Sequence, residues 1–152
     1  MIDFSPTTAF GLVRRMAASG QNSPSIYLLI CNLIDLDAVR ADLTAEVEVQ
    51  LDTEIESLDG SIAALDEILT APEHDCRPRI LLLTLQRWEH MLITSLDRNI
   101  VPMTKNRHLL ILADSDVAER ILGGAPNLRN RLADVLLIRP DEALAETRRL
   151  ER

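Results

Sequence analysis

Lysine and glycine are nearly absent where an α/β chain of this kind would use them. There is one lysine, Lys105, against fifteen arginines, and the five glycines are Gly11, Gly20, Gly60, Gly123 and Gly124. A phosphate-cradling P-loop needs Gly-rich backbone running into a Gly-Lys-Ser/Thr step where a strand turns into a helix. No glycine stands within a helical turn of Lys105, and the segment after the first apolar run has neither residue. Ordinary P-loop chemistry is excluded. Aromatics are scarce too (Phe4, Phe10, Tyr27 and Trp88), so the core must be aliphatic. The two cysteines, Cys31 and Cys76, lack metal-ligand spacing and suit a reducing cytoplasm. No apolar run approaches the ~20 residues of a membrane span. Met1-Ile-Asp-Phe-Ser-Pro lacks the basic and apolar regions of a signal peptide. The expectation is a cytoplasmic protein with no membrane partner.

What is present fits one globular unit. The 152 residues are 47% hydrophobic and 26% charged, ordinary values for a folded domain. A net charge of −8 repels nucleic acid, and none is expected as a partner. The reading is a single α/β domain over 1–152, with an N-terminal helix (1–20), a sheet core (25–139) and a C-terminal helix (140–152).

Three continuous apolar runs carry that reading: Ser25–Leu33, Arg79–Leu85 and His108–Ala113. Each is short for a helix and has the look of a central strand covered on both faces. Ser5-Pro6 opens the first helix, with Phe10, Val13 and Ala17 on one face. Asp35 or Asp37 caps a short helix carrying Val39 and Leu43. Ala45–Leu51 alternates valine and leucine with Glu46, Glu48 and Gln50, which predicts a half-exposed edge strand. From Thr53 the period changes, and Ile55, Leu58, Ile62, Leu65 and Leu69 predict one helix.

Ala71–Pro78 is read as a loop. Arg87–Ile100 reads as a helix with Trp88, Met91, Leu92, Ser95 and Leu96 inward, and Pro102–Arg107 as a loop. Asp114-Ser115-Asp116 caps a helix over Val117–Leu122, Gly123-Gly124-Ala125-Pro126 breaks it, and Asn127–Ala133 adds one or two turns. Val135–Ile138 is a last short strand. The alternation of strand and helix predicts a three-layer sandwich around a mostly parallel, about five-stranded sheet.

From Arg79 to Arg139 the order resembles the core of AAA+ and STAND-type P-loop ATPases: apolar strand, helix, apolar strand ending in a polar residue, helix, arginine-bearing segment, short strand. The resemblance implies a P-loop after the first strand, where Asn32-Leu33-Ile34-Asp35 stands. It implies Asp-Glu at the end of the Arg79–Leu85 strand, where Thr84-Leu85-Gln86 stands. It implies a polar sensor, matched by Asp114, and an arginine finger, matched by Arg129 or Arg131. The ligands for ATP and Mg²⁺ are the missing parts, so the resemblance implies a degenerate member without cofactor that serves protein–protein association or regulation.

Other constellations point elsewhere. Asp114 and Asp116 also resemble the Asp-x-Asp metal step of Toprim domains, which implies Mg²⁺-dependent phosphoryl transfer. Helix capping accounts for the same residues. Asn32, Asp35, Thr84, Arg87, Asp114 and Asp116 all follow strand ends, where doubly wound sheets bind ligands. His74-Asp75-Cys76 lies in a Pro-flanked loop and is read as exposed. Arg129 and Arg131 point in different directions from a short helix, which leaves at least one for a protein partner or a second copy.

Overall fold

The computed structural model describes residues 6–19, 25–70, 79–104 and 107–141. Six strands form one sheet: β1 (Pro6–Thr8), β2 (Ile26–Ile30), β3 (Ile55–Asp59), β4 (Arg79–Leu85), β5 (Arg107–Ala113) and β6 (Leu132–Arg139). Their order is β1-β6-β2-β5-β4-β3 and every pairing is parallel. The helices are α1 (Ala9–Ser19), α2 (Leu36–Leu51), α3 (Ile62–Thr70), α4 (His90–Arg98), α5 (Ile100–Met103), α6 (Ser115–Gly124) and α7 (Pro126–Arg131). None among the described residues is long and apolar enough to cross a membrane.

The apolar runs are central strands because both of their faces are covered. In β2, Ile26, Leu28 and Ile30 pack into one core while Tyr27 and Leu29 pack into another. β4 and β5 divide the same way. Leu12, Val13 and Met16 of α1 and Val39, Leu43 and Val47 of α2 cover one face. Leu65, Leu92, Leu96, Val117, Ile121 and Leu128, from α3, α4, α6 and α7, cover the other. The result is the expected three-layer α/β sandwich, with six strands in place of about five.

The edge of the sheet differs from the expected one. Ala45–Leu51 is not a strand; it is the second half of α2, which runs unbroken from Leu36. Val39, Leu43, Val47 and Leu51 are buried at spacings of four while Val49 is 79% exposed, so the helical period wins over the alternation. Asp52 closes α2 in the left-handed region at φ 50°, which aspartate tolerates better than most side chains. The edge strand is instead β3, inside the stretch expected to be helix. Ile55 packs into the α1/α2 core and Leu58 into the opposite one. Two apolar residues three apart on opposite faces of a strand imitate a helical step. Gly60 then turns the chain: its N–H donates to the Thr84 carbonyl at 2.8 Å, and a Cβ there would collide with the Leu85 side chain. The Ser61 Oγ accepts the Ala64 N–H at 3.1 Å and starts α3.

Smaller corrections follow the same logic. Pro6–Thr8 pairs with β6, so the first helix begins at Ala9, and Phe10 and Ala17 are exposed. The helix after β4 begins at His90, leaving Met91 71% exposed, and α5 occupies part of the expected 102–107 loop. α6 includes both Gly123 and Gly124, and β6 is longer than expected and internal to the sheet. The expected loop at 71–78, with His74-Asp75-Cys76, and all but the first two residues of the C-terminal helix lie outside the described residues.

Candidate functional site

Parallel strands put all their carboxyl ends on one edge, and the candidate residues gather there. After β2 come Cys31 and Asn32, then a single 3₁₀ turn over Leu33–Asp35, then α2. This is where a P-loop would cradle phosphate. The turn presents side chains instead: Leu33 is 55% and Ile34 91% exposed. Cys31 is buried behind it, its N–H donating to the Ala113 carbonyl at 3.0 Å in continuation of the β2–β5 ladder.

The local charge is negative. The Cys31 thiol is pushed up to about 11, first by burial and then by the Asp35 and Asp114 carboxylates, which disfavour a thiolate beside them. A phosphate at this point would meet the same two carboxylates. Two of the nearby arginines are engaged: Arg40 lies 3.5 Å from Asp59 and 3.9 Å from Asp37, and Arg87 lies 3.4 Å from Glu89.

Asp114 is the N-cap of α6, its Oδ1 accepting the Val117 N–H at 2.9 Å. Asp116 is exposed in the first turn of the same helix. No group of three ligating His, Cys, Asp or Glu side chains converges among the described residues. Thr84, at the end of β4, is 1% exposed, and its Oγ1 has no hydrogen-bond partner among the described residues. A cleft of about 800 Å³ lies along the β1, β6 and β2 ends, lined in part by Thr8, Cys31, Asn32, Asp35, Ser115 and Arg139.

Arg129 and Arg131 lie elsewhere. α7 leads into the amino end of β6, whereas Asp114 follows the carboxyl end of β5, so the two sets occupy opposite edges of a parallel sheet. Arg129 Nη1 donates to the Leu122 carbonyl at 3.3 Å, closing the end of α6. Arg131 lines a second cleft of about 420 Å³ with Asp97, Arg98, Val101, Asn127 and Asn130. The sequence reading did not find that cleft. Its residues come from α4, α5 and α7, and no local motif joins them.

No family model matches the chain, and no curated protein matches its sequence. Solved structures do share its fold. The crystal structure of Rif2 from Saccharomyces cerevisiae aligns with a TM-score of 0.52 at 8% identity, over 86% of this chain and 55% of that one. The Orc1 protein of Aeropyrum pernix, solved in complex with DNA, aligns with a TM-score of 0.51 at 14% identity, over 94% and 48%. The chain thus spans about half the length of each. At such identities the likeness is one of fold alone.

Proposed function

We propose that this chain is a non-enzymatic protein-interaction domain on a degenerate AAA+-like fold, acting without nucleotide or metal. The observation that carries this reading is the Leu33–Asp35 turn. Where an NTPase would offer glycine amides and a lysine, this chain places two exposed aliphatic side chains and a carboxylate, with Asp114 beside them. Exposed apolar residues on a folded edge suit a protein surface, whereas paired carboxylates oppose a phosphate. The net charge of −8 further disfavours nucleic acid. The partner is another protein or a second copy, and Arg131 is the better interface candidate because Arg129 is engaged at Leu122.

Isothermal titration with ATP and with GTP, each with Mg²⁺, tests it. The expected result is no saturable heat and no hydrolysis above background; micromolar binding or turnover overturns the reading. The 800 Å³ cleft supports one alternative, a ligand-binder or metal-dependent enzyme at the strand ends. That alternative requires metal binding or nucleic-acid cleavage that disappears in Asp114→Asn/Asp116→Asn.

A further inference from the structure

Most arginines with described side chains are held within the molecule. Arg15 lies 3.0 Å from Asp134, and Arg40 and Arg87 are in ion pairs. Arg107 and Arg129 donate to the carbonyls of Ile68 and Leu122, and Arg120 sits 5.9 Å over the Trp88 ring. Arg98 and Arg131 have no such partner among the described residues, and both line the 420 Å³ cleft between α4, α5 and α7. Two guanidiniums without a partner among the described residues thus line one cleft, in a chain of net charge −8.

The rest of the cleft narrows what it takes. Asp97 is its only carboxylate among the described residues, and both oxygens are already engaged. Oδ1 accepts the Leu128 N–H at 2.8 Å and Oδ2 accepts from Asn127 Nδ2 at 3.3 Å. Asn130 adds a carboxamide, and Val101 adds an aliphatic surface that is 55% exposed. Guanidiniums pair with planar carboxylates through parallel N–H···O bonds. A small free anion has no use for the aliphatic wall.

We infer that this cleft docks an acidic segment of a protein partner, with carboxylates on Arg98 and Arg131 and an aliphatic side chain against Val101. The inference rests on the interaction-domain reading and names the partner chemistry. Association is salt-sensitive, because exposed charge pairs are screened within a Debye length of ~8 Å at physiological ionic strength. The charges steer and orient the segment, and the aliphatic contact adds desolvation.

Fluorescence anisotropy of the whole chain with labelled Glu-Asp-Leu-Glu-Asp, at low salt, is the test, with Gln-Asn-Leu-Gln-Asn as its neutral control. The acidic probe should bind saturably and the neutral one should not. Arg98→Gln/Arg131→Gln should weaken binding at least tenfold. Arg14→Gln/Arg15→Gln, which removes the same charge from exposed arginines of α1, should change it less than twofold. Melting curves establish that both variants fold. The idea is overturned by absent binding of the acidic probe, or by equal losses in the two double variants. It is also overturned by tighter arginine-dependent binding of oligothymidylate or inorganic phosphate, or by sedimentation showing that these arginines pair the chain with itself. Each of those results leaves the nucleotide titration independent, so the two readings fall separately.

Discussion

The backbone N–H of Asp141 donates to Oδ2 of Asp42 at 2.9 Å, tying the middle of α2 to the chain as it leaves β6. Asp42 is fully buried, and a carboxylate in that position is tolerable only when hydrogen-bonded. Asp42→Ala removes the acceptor and should lower stability by about 2–4 kcal/mol. Asp42→Asn retains a carbonyl oxygen and should cost less. Urea midpoints decide it: two variants as stable as the parent would show that the bond contributes nothing.

Cys31 should be a slow thiol. In a Cys76→Ser background, a disulfide reagent at pH 8 should react far more slowly with the folded chain than with the urea-unfolded one. Its folded-state pKa lies above the unfolded value, near 9, so the neutral thiol is favoured by folding. That contribution is complete below pH 9 and is lost as pH rises toward about 11, by on the order of 2–3 kcal/mol. Cys31→Ala should flatten this alkaline limb. A limb unchanged by the substitution would assign it to other groups.

Asp114 should matter as a cap. Asp114→Ala is expected to cost about 1 kcal/mol, while millimolar Mg²⁺ or Mn²⁺ leaves the parent Tm unchanged. A metal ion that binds only the folded state raises Tm by mass action. A saturable rise that disappears in the variant would favour the metal reading over the capping one.

Asp97 caps α7 from a different helix. Asp97→Ala leaves the Leu128 N–H without its acceptor and should cost about 1–2 kcal/mol. Asn127→Ala, which removes only the 3.3 Å contact, should cost less. If the order is reversed, the carboxamide and not the backbone bond holds the two helices together.

Amide exchange should be slowest in β2, β4 and β5, which are internal to the sheet and buried on both faces, and faster in β1 and β3 at its edges. Protection in β3 equal to that in β5 would mean that something covers the outer edge.

The central strands were legible in the sequence because their cause is local. A run such as Ile80–Leu83 is apolar at every position, and only burial on both faces accommodates that. The missing phosphate ligands were legible for a related reason: a P-loop is contiguous, so its absence from Asn32–Asp35 needs no structure to see. The same holds for the Asp114 cap, whose acceptor and donor are three residues apart.

Residues 45–59 were different. Val47, Val49 and Leu51 satisfy period two and, without Val49, also period four. Ile55 and Leu58 satisfy a helical step while lying on opposite faces of a strand. Asp59-Gly60-Ser61, a turn followed by a cap, was the one local sign that the helix starts only at Ile62. Which period prevails depends on the neighbours: α1 packs along α2, and β4 offers an open edge to β3.

The Arg98–Arg131 cleft had no sequence signature, because its two cations stand on separate helices. They meet because α7 packs against α4 through Asp97. Local chemistry determined which segments could be strands and that no P-loop motif follows the first long one. Tertiary packing decided where the sheet ends and which arginines remain free, because both depend on contacts between residues distant in the chain.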